Sequence, residues 1–238
     1  TREYNEYDQT RFGGSIGLSK HIPWVGRVGL AYTFEQVKLD DFLDGEFTFA
    51  DDPNKTFRYS DEDDKYLLGS LKLTWTYDTR NNSMIPTSGT RAVAFGKIYS
   101  EALGGDYDMY ELDFNIRNYQ SLPWGHVLSL YAHAKVIDSF DDDVVIPIGN
   151  RYFLGGGRET RGFKYRDIGP KLLPTDPKQR HRPYGGQTFF SASVEYSIPL
   201  TSMIRVAAFY DIGNVWADPF EFDFSEFAHS LGAGLRLD

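Results

Sequence analysis

The feature that most limits what this chain can fold into is a set of long runs in which apolar and polar residues alternate strictly. A period of two argues for strands with one apolar and one polar face. From Thr188 to Ile198, Phe190, Ala192, Val194, Tyr196 and Ile198 share one face, and Ser191, Ser193, Glu195 and Ser197 the other. From Ile204 to Ile212, Ile204, Val206, Ala208, Tyr210 and Ile212 oppose Arg205, Ala207, Phe209 and Asp211. Tyr66 to Asp78 sets Leu67, Leu71, Leu73, Trp75 and Tyr77 against Ser70, Lys72, Thr74, Thr76 and Asp78. In Tyr110 to Asn118, Leu112, Phe114 and Ile116 face away from Glu111, Asp113, Asn115 and Arg117. Helical periodicity is hard to find. The pattern predicts nine strands, at 9–20, 25–38, 66–78, 90–100, 107–120, 125–138, 187–199, 203–214 and 226–237. Soluble strands have a mode near ~5–6 residues, whereas a tilted transmembrane strand needs ~9–11. The predicted lengths fit the second class.

The connections alternate in length. Residues 21–24, 78–89, 121–125 and 200–202 are short or turn-like; 39–65, 101–106, 139–186 and 215–225 lie between them, three of them long and acidic. Short turns at one end and long polar loops at the other describe an outer-membrane barrel. A soluble β-sandwich or a fatty-acid-binding barrel would also alternate, but neither readily explains strands this long with faces rich in Tyr, Trp and Leu. The expected fold is therefore all-β, a transmembrane antiparallel β-barrel.

Cost decides which face meets lipid. A Lys or Arg on the lipid face near the midplane costs ~2–4 kcal/mol. Lys72, Glu111, Asp113, Arg117, Glu195, Arg205 and Asp211 all share the polar side of their strands. The apolar side then faces lipid and the interior is expected to be wet. The strand at 90–100 is less tidy, because Val93, Phe95 and Tyr99 share a face with Arg91 and Lys97. Either Lys97 lies near an interface, where its stem reaches headgroups, or that strand faces the other way.

Composition removes several function classes. A net charge of -9 argues against nucleic acid as a partner. The absence of cysteine excludes disulfides, thiol nucleophiles and thiolate metal sites. His21, His126, His133, His181 and His229 are scattered, without metal-ligand spacing. The acidic runs at Asp40–Asp41, Asp61–Asp64 and Asp141–Asp143 read as solvated loops. No matched carboxylate pair, Ser-His-Asp arrangement or phosphate-cradling loop before a helix is visible. No enzyme, cofactor or metal is expected.

The most specific stretch is Gly155 to Pro170. Gly155, Gly156 and Gly157 open it, Arg161-Gly162-Phe163 forms a tip with one cation and one ring, and Ile168-Gly169-Pro170 closes it. On the next two strands, Glu195, Phe209 and Asp211 all fall on the inward face. A loop folded inward could bring Arg161 against both carboxylates, for which a guanidinium fork is suited, and onto the Phe209 ring. Alternatively, Glu195 and Asp211 merely line a wet lumen and Arg161 sits in solvent. Alternation alone favours the second reading, and the motif tips the balance to docking.

These segments resemble the BamA family, outer-membrane insertases that fold other β-barrels into the membrane. The stretch Gly155 to Pro170 is similar to that family's sixth extracellular loop. Ser193-Val194-Glu195-Tyr196 and Phe209 to Trp216, including Gly213, look like its twelfth and thirteenth strands. Trp75 to Asp78 with Ile85 to Arg91 looks like the turn between its eighth and ninth. The match runs from about residue 66 to the end, and the earlier strands fit only as generic barrel strands. One departure is Thr160, where the family carries Val or Ile. The resemblance implies that Arg161 docks inside the barrel near Glu195, Phe209 and Asp211. It implies unfolded outer-membrane proteins as clients, accessory lipoproteins and membrane lipid as partners, and the outer membrane of a Gram-negative-type bacterium as location.

The family's barrel has about sixteen strands, so residues 1–238 are expected to be part of one barrel domain, its sixth to fourteenth strands, in a longer protein. Neither a signal peptide nor periplasmic POTRA repeats are expected in this stretch, and the last strands and the seam used as a lateral gate would lie outside it. Two other readings stay beside the insertase: a two-partner-type secretion pore or TamA-like assembly factor, and a general porin or solute-uptake barrel.

Overall fold

The computed structural model describes residues 2–3, 6–50, 54–141, 144–157, 159–174, 180–201 and 203–237. In chain order the strands are β1 (Arg2–Glu3), β2 (Asp8–Ile22), β3 (Gly26–Asp40), β4 (Phe47–Phe49), β5 (Thr56–Phe57), β6 (Lys65–Asp78) and β7 (Gly89–Tyr99). They continue with β8 (Met109–Ser121), β9 (Val127–Ser139), β10 (Lys171–Pro174), β11 (Arg182–Pro183), β12 (Thr188–Pro199), β13 (Ile204–Trp216) and β14 (Ala228–Leu237). The nine long strands expected from alternation are all present, with ends shifted by at most two residues. They pair antiparallel with their sequence neighbours in one sheet, ordered β1-β2-β3-β6-β7-β8-β9-β12-β13-β14. Among the described residues β2 and β14 do not pair with each other. The sheet is thus an arc of a transmembrane β-barrel.

Register and exposure assign the faces. Leu73, Leu112, Phe114, Val194 and Tyr210 are exposed on the outer face, whereas Ser70, Asp113, Ser191 and Asp211 are buried inside. Lys97 pairs laterally with Lys72 on one side and Glu111 on the other, both inward-facing, and its ammonium lies 4.2 Å from the Tyr99 ring centroid. Of the two readings of that strand, the reversed facing holds: Arg91, Val93, Phe95, Lys97 and Tyr99 look inward. Small outer residues, Ala92, Ala94 and Gly96, are what made its pattern hard to read.

The interior is not uniformly wet, which corrects the expectation from charge cost. At the loop end, inward residues such as Leu68, Tyr99 and Phe189 form one buried core with loop residues Phe47, Ile148 and Leu172. The loops carry enough apolar side chains to fill that half of the arc. The segment after β9 crosses the concave side: the carbonyl of Gly149 accepts from Arg11 Nη2 at 2.7 Å, and Asn150 Oδ1 accepts from the Tyr66 hydroxyl at 3.0 Å. Above this core, β11-β10-β4-β5 form a second, four-stranded sheet from two different loops. Its segments are too short to show alternation, so local pattern does not reveal them.

One acidic residue read as solvated is largely enclosed. Glu62 accepts from Arg151 Nη2 and from the Ile148 backbone N–H, each at 3.0 Å, with Arg151 almost fully enclosed. The rest of that run stays exposed, while Asp142 and Asp143 lie outside the described residues.

Leu68 is 0% exposed in the interior core, and Leu73, five positions along the same strand, is 56% exposed on the outer face. Leu68→Ala should cost about 2–5 kcal/mol through lost burial and a cavity. Leu73→Ala should cost distinctly less. Urea unfolding of the refolded protein in lipid vesicles measures both; equal losses would contradict the assigned faces.

Candidate functional site

The site begins with local backbone. After β9 the chain makes three isolated antiparallel bridges, Tyr152 to Gly186, Leu154 to Ile168 and Gly156 to Thr160, so the loop folds as a narrow hairpin. Gly155 has φ +117°, and a Cβ there would lie 2.3 Å from the Lys164 carbonyl oxygen. Only glycine fits such a backbone. Gly156 and Gly169 also have positive φ, and Gly169 packs against Val215. At Gly213 the constraint is lateral: a Cβ would meet Leu154 Cδ2 at 2.7 Å and Thr160 Oγ1 at 3.2 Å. Gly157, expected to be a structural glycine like the others of the motif, is not one: nothing lies within 4 Å of a Cβ built there. Thr160 is fully buried and takes the place that Val or Ile would fill.

The hairpin turns its tip onto the inner face of β12, β13 and β14. Arg161 Nε donates to Asp211 Oδ2 at 2.8 Å and Nη2 to Asp211 Oδ1 at 2.6 Å, a two-pronged pairing. Nη1 donates to Glu195 Oε2 at 2.6 Å and Nη2 to Ser193 Oγ at 3.0 Å. The Arg161 backbone N–H adds a bond to Asp211 Oδ2 at 3.1 Å. The guanidinium carbon sits 3.4 Å from the centre of the Phe209 ring. Register explains the convergence. Ser193 pairs with Asp211 and Glu195 with Phe209, so both carboxylates and the ring occupy adjacent inward positions of two strands, within reach of one cation. Gly162 lies over Ser230 of β14, and Phe163 packs at the margin of the core.

Asp211 is 1% exposed, so its charge depends on Arg161 and on the Ser193 hydroxyl, which donates at 2.6 Å. The Asp211 hydrogen bonds raise the pKa of Arg161 above its ordinary value, against the opposing effect of burial. Two partners were not anticipated. Ser193 stands two residues before Glu195 on the same face, so alternation could have included it. Arg236 of β14 donates Nε to Glu195 Oε1 at 2.6 Å and also bonds Oε2 through Nη2. It sits two strands from Glu195, a distance that only the curled sheet makes short.

A network beside this one was also missed. Asp113 on β8 and His133 on β9 face inward, with Nε2 3.0 Å from Asp113 Oδ2, and loop residue Glu159 lies 3.6 Å from Nδ1. Among the described residues no group of three or more His, Cys, Asp or Glu is arranged to hold a metal.

Gly155→Ala should unlatch the hairpin, because relieving a 2.3 Å contact with backbone requires the chain to move. Gly157→Ala should leave it in place. Limited proteolysis of 155–170 separates the two, and equal resistance in both variants would contradict the backbone requirement at Gly155.

Comparison with known proteins identifies the family. A family model described as the Omp85 superfamily domain matches residues 1–238, extending the resemblance to the first strands as well. The outer membrane protein assembly factor BamA of Nitratidesulfovibrio vulgaris is 25% identical over 99% of this chain and 28% of its own length. Sorting and assembly machinery component 50 homolog A of Xenopus laevis is 30% identical over 61% of this chain and 29% of its own. The crystal structure of BamA from Haemophilus ducreyi lacking POTRA domains 1–3 superposes with a TM-score of 0.76 at 21% identity, covering 96% of this chain and 48% of that one. The chain spans less than a third of the length of these two curated relatives. With all 238 residues matched and the strand order of the barrel reproduced, this chain belongs to the Omp85 superfamily.

Proposed function

We propose that this chain is the barrel core of a machine that folds and inserts β-barrel proteins into an outer membrane. The observation that carries the reading is the Arg161 hairpin docked on Asp211, Glu195 and Phe209 inside the arc. One cation ties β12 and β13, and Arg236 brings β14 to the same carboxylate. On the other side, Gly149 and Asn150 hold the loop to β2 and β6. A barrel braced from within keeps its curvature while strands at an opened seam exchange backbone hydrogen bonds with an incoming chain. The machine templates client strands and thins the nearby bilayer, and no bond chemistry is required.

The clients are unfolded outer-membrane proteins, with accessory lipoproteins as further subunits. The membrane is that of a Gram-negative-type bacterium, a reading supported by the bacterial relative's match over 99% of the chain against 61% for the vertebrate one. The loop at 139–186 then faces the cell exterior. The buried core across the loop end speaks against a general porin, because an apolar plug obstructs solute passage.

Arg161→Ala removes the partner of an enclosed carboxylate, a loss of about 3–5 kcal/mol for a buried pair. Client assembly in reconstituted vesicles should fall and residues 155–170 should become protease-sensitive. Arg161→Lys should recover only part of both, since an ammonium cannot bridge Asp211 and Glu195 with a planar fork. Unchanged client insertion together with unchanged protease resistance in Arg161→Ala would sink the bracing role.

A further inference from the structure

We propose that Glu159, His133 and Asp113 form a second anchor that positions the Arg161 hairpin and responds to pH. This deepens the bracing role proposed above and rests on it. Glu159 stands two residues before Arg161, with the buried Thr160 between them. The hairpin therefore has a carboxylate on one side and a cation on the other. Arg161 reaches β12 and β13; Glu159 reaches β9, where its Oε1 is 3.6 Å from His133 Nδ1. The opposite ring nitrogen, Nε2, is 3.0 Å from Asp113 Oδ2 on β8. Asn115 Nδ2 holds the other Asp113 oxygen at 3.3 Å, and the Tyr131 hydroxyl is 3.0 Å from His133 Nδ1. His133 and Asp113 are each only 9% exposed, so the ring is a fixed post rather than a solvated side chain.

The charges around the ring decide what protonation does. Asp113 and Asn115 face it from β8, Tyr131 and Lys135 from β9, and Glu159 from the hairpin. From β12 come only neutral groups, Phe189 with its ring 5.3 Å away and Ser191. Lys135 is directed onto the Phe189 and Tyr152 rings, at 4.7 and 5.4 Å, and Arg117 lies over Tyr131 at 4.6 Å. Two carboxylates thus flank one imidazole. A neutral imidazole has one N–H. When that proton is on Nε2 it serves Asp113, and the Nδ1 lone pair accepts from the Tyr131 hydroxyl, so the ring offers Glu159 neither a proton nor a charge. The doubly protonated ring keeps its Nε2 bond to Asp113 and carries a positive charge that pairs with Glu159 across 3.6 Å. Protonation of the ring therefore tightens the grip on the hairpin, and its deprotonation releases Glu159. The Arg161 anchor does not titrate in the imidazole range, so the hairpin goes from two points of attachment to one.

The absence of cysteine makes the test direct. Gly157→Cys introduces a single thiol where a side chain meets nothing within 4 Å, and a nitroxide attached there reports hairpin mobility in vesicles. The immobilised fraction should rise as pH falls from about 8 to about 5, the window of imidazole. Glu159→Gln and His133→Gln should each flatten this response, and Glu159→Asp should restore part of it. Glu159 is partly exposed, so its variant remains informative even if His133→Gln fails to fold. No pH response in the parent, or the same response in Glu159→Gln, overturns the second anchor. The readout does not depend on client assembly. Arg161→Ala in the same background therefore tests the bracing role separately, and either idea can fail alone.

Discussion

In a bilayer every backbone N–H and C=O must be paired within the protein, because no water is present to replace a lost bond. Everything else in this structure follows from how that demand is met. Nine long antiparallel strands pair in sequence order, and their outer faces are left to lipid. The polar side chains of each strand then have one place to go, the concave interior. Charges gathered there, away from bulk water, need partners within the protein. Asp211 and Glu195 find theirs in Arg161 from a loop and Arg236 from a neighbouring strand.

The interior divides into two regimes. At the loop end it is packed with apolar side chains from strands and loops, as the core of a soluble domain would be. Beyond the docked hairpin it opens into a chamber of mixed lining whose polar groups include Arg117, Tyr131, Ser193 and Glu195. The hairpin marks the boundary. Its Thr160 and Leu154 belong to the dry side, while Arg161 and Glu159 reach the polar networks of opposite strand pairs. This dual character suits a brace, since apolar contact supplies burial and the charged pairs fix where the tip lies.

Much of this was legible beforehand because a strand's two faces are written into its residues one by one. Glu195, Phe209 and Asp211 could be placed on inward faces from alternation alone, and the Arg-Gly-Phe tip marked the loop. What escaped notice shares a physical cause. Arg236 meets Glu195 across two strands, Glu62 meets Arg151 between two loops, and β4 pairs with β10 across more than 120 residues. Short segments carry no periodicity, and a single acidic residue in a charged run looks the same whether it is paired or solvated.

The sequence by itself determined the strands, the facing of four of them, the family and the residues of the motif. Each of those depends on local chemistry or on the cost of placing a charge in lipid. Only the tertiary structure decided that half the interior is dry, that Gly157 is sterically free, and that His133 stands between Asp113 and Glu159. Those facts depend on how far the sheet curls and how deeply the loops enter it. Curvature and loop depth are sums over many contacts distant in sequence, and no single stretch of residues records them.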